Sequence, residues 1–250
     1  MKEACKNRSL LCLTLGFSTF IGLYFSLGNV MSAMFNPFDI TPFEVAVIGL
    51  IMLGSGMLGA AVSGMILDKT SAYKILLIIC SVIAMIAMCF IAYSMMHFAS
   101  NAIIRFLMFW LGISMVSVLP AGLGLGIELT FPLAPPLVNG MMMMFAQING
   151  FVQSFTYSAI MDIDPANYDT AEDLLAERQI RSKYCLIPIL CVLVIAWICF
   201  MFVTEDLKRT RYAHDNDFQQ EKADITRESD EQLTSSGVKI DDDDYKSAVN

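Results

Sequence analysis

The feature that most constrains this chain is a series of six long apolar stretches. The hydrocarbon core of a bilayer is about 30 Å thick, and a helix needs about 20 apolar residues to cross it. Each stretch meets that length, so the sequence predicts an all-α membrane protein with six transmembrane helices. Their approximate bounds are Leu10–Met34, Val45–Leu67, Leu76–Met96, Ile103–Leu123, Leu137–Ile160 and Tyr184–Val203.

Composition favours a membrane protein over a soluble enzyme. Hydrophobic residues make up 56% of the chain and charged residues 16%, against about 45–50% and about 25% in soluble domains. His97 and His214 lie far apart, and we find no set of paired acids, Ser-His partners or metal ligands at membrane depth. We therefore expect no enzymatic activity, no metal and no cofactor. The seven cysteines show no C-x-x-C spacing, so we interpret them as small apolar residues.

The basic residues predict the orientation in the membrane. Six spans place both termini on one side, where eight Lys and Arg residues lie, against three on the other side. By the positive-inside rule, both termini are cytoplasmic. Residues 1–9 then form the cytoplasmic N-terminus, residues 10–203 the bundle and residues 204–250 a tail.

The tail carries most of the chain's negative charge. From Glu205 to Asn250 there are 13 acidic and 7 basic residues, which account for -6 of the net charge of -8. Such a segment buries too little apolar surface to fold alone, so we predict disorder. The sequence also contains no basic patch that would bind nucleic acid.

Small and polar residues within the spans suggest more than a simple anchor. Ser55, Gly59 and Ser63, and beside them Gly56, Ala60 and Gly64, form two small-residue faces that allow close helix packing. Residues 120–126, which contain one proline and three glycines, are expected to kink or unwind the fourth span. Glu128 follows, either as an interfacial carboxylate or as a functional one.

Other polar residues give candidate contacts. Asn149 and Gln153 are four apart and share a helix face, so they either bond a neighbouring helix or contact a polar solute. Tyr24 and Phe25 precede Asn29, an arrangement that suits packing or a cavity for a quaternary ammonium group. Arg105 is expected to snorkel to the headgroups. The capping pattern and charge spacing in the last outer loop predict a short surface helix near Ala171–Ile180.

Several motifs together resemble one transporter family. The segment Gly64–Lys74 (GMILDKTSAYK) resembles the loop motif of the major facilitator superfamily. The segments Leu119–Gly122 (LPAG) and Ile127–Pro132 (IELTFP), with Ala146–Ile148 (AQI) between Gly140 and Gly150, resemble the feline leukaemia virus subgroup C receptor-related transporters. The resemblance covers residues 5–204 and corresponds to the C-terminal six-helix half of a twelve-helix protein.

The resemblance implies facilitated transport of choline, ethanolamine or haem at the plasma membrane, with an internal membrane as the alternative. It implies substrate contacts at Gln147, Phe25 and Tyr24. It also implies a gating role for charged residues near the loop motif: Asp68, Lys69, Lys74 and Glu128.

The missing N-terminal half leaves several interpretations open. The chain is expected to be a fragment of a longer transporter, and the alternatives are a half that pairs with a second polypeptide or a remnant that does not transport. A different class of function is a six-helix membrane interaction protein, or a dominant-negative half-transporter, with the acidic tail binding a partner.

Overall fold

The computed structural model describes residues 8–38, 40–96, 101–163 and 171–204, and within these ranges all regular structure is helical. Residues Met1–Asp206 belong to one compact unit. Residues 205–250 lie outside the described residues, so the predicted disorder of the tail stays a prediction. The elements are α1 (Arg8–Phe35), a short 3-10 turn (Asn36–Phe38), α2 (Pro42–Thr70), α3 (Tyr73–Met96), α4 (Asn101–Thr130), α5 (Pro135–Met161) and α6 (Ala171–Phe202).

Five of the six helices are long and apolar enough to cross a membrane, which fits a multi-pass membrane protein. The exception is α5, which contains the amides of Asn139, Gln147, Asn149 and Gln153. These side chains interrupt an otherwise apolar run. The predicted span Leu137–Ile160 is therefore present as a helix, and its crossing of the membrane stays a prediction.

The two ends of α2 are set by local sequence. At its start, Thr41 Oγ1 accepts a hydrogen bond from the Glu44 N–H at 3.3 Å, and the Thr41 N–H donates to Glu44 Oε2 at 3.0 Å. This reciprocal capping box satisfies backbone donors that a helix start leaves open. At its end, Ser71 adopts a left-handed conformation with φ 50°, and its N–H donates to the Leu67 carbonyl at 2.8 Å. The next helix, α3, therefore begins after only a short turn.

Two expectations about helix continuity are met only in part. The fourth span does not unwind, because α4 stays helical through Pro120 and the glycines after it. Gly122 and Gly126 instead admit neighbours, since an added Cβ would collide with the Phe17 ring and with the Met142 sulfur. The predicted short helix near Ala171–Ile180 is the first part of α6, a single helix that continues to Phe202.

The contacts between helices follow a pattern that repeats after the first three helices. The two most extensive contacts join α2 to α4 and α5 to α1. The next two join α3 to α4 and α6 to α1, and further contacts join α3 to α6 and α1 to α4. Exchanging α1, α2 and α3 for α4, α5 and α6 maps each of these pairs onto another pair or onto itself. The main contacts between helices therefore relate α1, α2 and α3 to α4, α5 and α6, as two three-helix repeats would.

Glycines lie at the crossings of the two helix pairs that make the most extensive contacts. At the crossing of α2 and α4, a Cβ added to Gly59 would lie 2.5 Å from the Ile113 carbonyl oxygen. At the crossing of α1 and α5, a Cβ added to Gly22 would lie 2.8 Å from the Gly150 nitrogen. The predicted face of Ser55, Gly59 and Ser63 is buried. Gly64, on the other predicted face, has nothing within 4 Å.

Candidate functional site

A cavity of about 430 Å³ lies between α1 and α2. Its α1 wall carries Tyr24, Phe25, Asn29 and Ser32, and its α2 wall is apolar, from Val45 to Leu53. The two aromatic rings meet edge to face, with centroids 5.7 Å apart and planes inclined by 64°. The aromatic pair and the amide at position 29 therefore line one space.

The amide of Asn29 connects this wall to α5. Its Nδ2 donates to Ser154 Oγ at 3.2 Å, although the Asn29 side chain is exposed. The bond holds the amide at the mouth of the cavity rather than deep inside it. Ser154 was not predicted, and no sequence pattern marks it, because the contact spans 125 positions.

The chemistry of this cavity suits a small ligand with a cationic group. Its volume lies within the roughly 300–1,000 Å³ typical of small-molecule sites. Tyr24 and Phe25 are both half-buried, so their rings remain accessible to a ligand. An aromatic face attracts a cation through its negative quadrupole, and the attraction grows when the cation is desolvated.

Gln147, the main predicted substrate contact, does not line this cavity. It is exposed on α5, whereas Tyr24 and Phe25 belong to the wall between α1 and α2. The structure thus brings together two of the three predicted substrate residues.

Two other amides of α5, those of Asn149 and Gln153, share one face, as their spacing predicted, and that face meets α1. Gln153 Nε2 donates to Asn149 Oδ1 at 2.8 Å and to the Thr19 carbonyl oxygen at 3.1 Å. Asn149 Nδ2 donates to Thr19 Oγ1 at 3.2 Å. Of the two roles left open by the sequence, these contacts favour bonding between helices. The network holds α5 against α1 beside the glycine crossing.

The predicted gating residues gather at one end of the bundle. Asp68 and Lys69 are exposed in the last turn of α2, and Lys74 is half-buried at the start of α3. The ring of Tyr73 packs on α4, where a Cβ added to Gly124 would lie 2.6 Å from its Cε1 atom. Glu128 lies one turn further along α4 and is only 5% exposed. The loop and this buried carboxylate are thus neighbours through the packing of α3 on α4.

A charged cluster that the sequence did not predict lies at the other end of α2. Arg105 Nη2 lies 3.2 Å from Glu44 Oε1, and Asn101 Nδ2 donates to the same oxygen at 3.0 Å. Arg105, expected to snorkel, is therefore paired with a carboxylate. The capping pattern at Thr41 could have placed Glu44 at the start of α2, but the partner helix depends on the tertiary fold.

Metal chemistry finds no support in the described part of the chain, where no group of three or more His, Cys, Asp or Glu residues could hold an ion. The six cysteines in those ranges are free thiols. The sequence matches no protein-family model and no curated protein.

Proposed function

We propose that this chain forms one six-helix half of a solute transporter of the major facilitator superfamily, similar to the feline leukaemia virus subgroup C receptor-related transporters. The observation that carries the proposal is the repeated packing of its helices. Each half of such a transporter contains two three-helix repeats of inverted topology. If all six helices cross the membrane, each unit contains three spans. Because three is odd, the second unit enters the membrane from the side opposite to the first, which inverts its topology.

The small-residue crossings support the same proposal. Both repeat-related pairs, α2 with α4 and α1 with α5, approach through glycines near the middle of the helices. Small residues let helix backbones approach closely where lipid provides no hydrophobic force between helices. Two equivalent crossings are what two equivalent three-helix units would produce.

The cavity between α1 and α2 supports the substrate class that the sequence resemblance implies. A choline-like or ethanolamine-like cation would place its ammonium group against Tyr24 and Phe25, with Asn29 near the mouth. Haem, which the sequence resemblance also implies, is the competing substrate. Gln147 would contact the same substrate from α5 once a second six-helix half faces this bundle, in the same polypeptide or in another.

We assign conformational control to the end of the bundle opposite the cavity at Tyr24 and Phe25. Asp68, Lys69 and Lys74 would exchange charged contacts between states, and Glu128 lies beside them in α4. The family resemblance supports the plasma membrane, and the distribution of basic residues supports cytoplasmic termini.

The test is substrate uptake in cells that lack choline transport. The protein is expressed as the complete native polypeptide, and uptake of radiolabelled choline is measured with ethanolamine and haem as competitors. The double variant Tyr24→Ala/Phe25→Ala is expected to reduce choline uptake about tenfold, since each ring contributes about 0.5–2 kcal/mol to cation binding. Phe90→Ala, on a ring 57% exposed on α3, is the matched control and should leave uptake unchanged.

Gln147→Ala gives a separate test of the third substrate residue. It should weaken uptake while surface expression is kept, and unchanged uptake would remove Gln147 from the site. If the aromatic double variant transports choline as well as the wild type does, the assignment of the cavity is wrong. If only haem is transported, the cationic substrate is wrong.

A further inference from the structure

A second cavity lies between the first half of α1 and the first half of α5. Its volume is about 330 Å³. The α1 wall extends from Leu10 to Ser18, the α5 wall from Leu137 to Phe145, and Thr130 and Leu133 close it near the end of α4. This cavity shares no residue with the cavity at Tyr24 and Phe25.

The lining of this cavity selects an apolar ligand. Nine of its twelve side chains are Leu, Val, Met or Phe, and the others are hydroxyls of Thr14, Ser18 and Thr130. Two of the hydroxyls already donate within their own helices: Ser18 to the Leu15 carbonyl at 3.1 Å, and Thr130 to the Gly126 carbonyl at 2.7 Å. A polar ligand would therefore lose hydration here with little to replace it.

The position of the cavity matches one leaflet of a bilayer. From Leu10 to Ser18, α1 rises about 12 Å at 1.5 Å per residue, and half of the hydrocarbon core is about 15 Å thick. The cavity begins two residues after the start of α1 at Arg8. Its rim is open, because Leu11 is 52% and Leu15 50% exposed. A lipid chain can enter from that leaflet and lie along the groove.

A cation lies where the headgroup of such a lipid would be. Arg8 precedes Leu11 by three residues and Leu15 by seven, so all three share one face of α1. Arg8 is exposed at the helix start, and a bilayer that covers the cavity from Leu10 onward would place it at the membrane surface. A guanidinium binds phosphate or carboxylate oxygens through its fork of N–H donors.

From these observations we infer that the cavity between α1 and α5 binds an acyl chain of an anionic glycerophospholipid, with Arg8 on its headgroup. This inference needs the protein to lie in a membrane, and it does not depend on transport. The competing occupants are lipid bound without selectivity and the apolar surface of a second six-helix half. Photocrosslinking distinguishes both of these from the proposed lipid.

The test is photocrosslinking with phosphatidylserine that carries a diazirine on its acyl chain. The full chain is reconstituted in phosphatidylcholine nanodiscs with a trace of the probe, irradiated, and digested for mass spectrometry. Adducts are expected in residues 10–18 and 137–145. Met141→Trp fills the cavity and should reduce these adducts at least fivefold, and Leu15→Trp should do the same from the other wall. Met57→Trp, on an α2 side chain that is 62% exposed, is the matched control and should leave them unchanged.

The headgroup is tested with a phosphatidylcholine probe of the same chain. Arg8→Gln should lower the preference for phosphatidylserine about fivefold, the effect of one basic residue near an anionic surface. Equal labelling by the two probes in the wild type would overturn the headgroup assignment. Adducts spread evenly over α2 and α3, or unchanged in both tryptophan variants, would overturn the cavity.

If the tryptophan variants are misfolded, as judged by their elution in size-exclusion chromatography, the proposal is tested by lipid competition in the wild-type protein. Unlabelled phosphatidylserine should then displace the probe about fivefold better than phosphatidylcholine does. Equal displacement would overturn the proposal, as would an absence of adducts in both walls, which a protein surface covering the cavity would produce.

Discussion

Gly22 is the position where the packing of α1 on α5 makes its sharpest prediction. A Cβ added there would lie 2.8 Å from the Gly150 nitrogen and 3.1 Å from the Ala146 carbonyl oxygen. The shorter distance is 0.6 Å below the 3.4 Å at which ordinary contact begins. Both neighbouring atoms belong to the backbone, so a side-chain rotation cannot relieve the collision. Gly22→Ala must therefore push the two helices apart.

The expected cost can be separated from the effect of helix propensity. Alanine in place of glycine within a helix favours the helix by about 1 kcal/mol, whereas overpacking a close contact costs about 1–3 kcal/mol. Gly28 lies on the same helix with nothing within 4 Å of its added Cβ. Gly28→Ala therefore gains the propensity alone. We expect Gly22→Ala to be less stable than Gly28→Ala by about 1–3 kcal/mol.

The assay is thermal unfolding of the purified protein in detergent with a thiol-reactive fluorogenic dye. Cys80 and Cys185 are buried free thiols, so the rise in fluorescence above the signal of the exposed Cys89 and Cys191 reports on opening of the bundle. Each kcal/mol corresponds to about 2–4 °C in a chain of this length. If Gly22→Ala and Gly28→Ala melt at the same temperature, the backbones do not meet at this crossing, and the packing argument is wrong.

Two further predictions concern α5. Gln153→Leu removes both hydrogen bonds that Gln153 Nε2 donates, and should lower stability by about 1 kcal/mol at about 0.6 kcal/mol per bond in membrane bundles. Gln147→Leu, on the exposed face, should not lower it in the same assay, and equal losses would contradict the assigned faces. In a cysteine-free background, Ala134→Cys and Asp162→Cys, at the two ends of α5, should react with an impermeant maleimide from opposite sides of the membrane. Labelling of both from one side would show that α5 does not cross.

The helices themselves were predictable because apolar runs of this length have few other structures. The predicted first span, Leu10–Met34, differs from α1 by no more than two residues at either end. Pairs of side chains four residues apart were also predictable, because such residues lie on the same face of a helix. Glu177 and Arg181, four apart, form a 3.0 Å ion pair on α6, and Asn149 bonds Gln153.

What sequence reasoning missed depends on contacts between distant segments. Glycines near Pro120 were interpreted as weak points of α4, but they admit Phe17 and Met142, whose positions depend on α1 and α5. The pairing of Arg105 with Glu44 has no local signal, because Glu44 is 61 positions away on another helix. Polar and charged residues in the first turns of α6 suggested a separate surface helix, although a helix can extend beyond the bilayer without a break.

The composition of α5 is explained by its two faces. On one face, Asn149 and Gln153 bond each other and α1, so their amides add little cost inside a membrane. On the other face, Gln147 is exposed, and Phe151, four residues later, is 74% exposed. An amide directed at lipid would lack hydrogen-bond partners. A transporter half accounts for this face, because a second half and the water of a central cavity would supply those partners. If the proposed function is correct, the low hydropathy of α5 follows from a position beside the transport path.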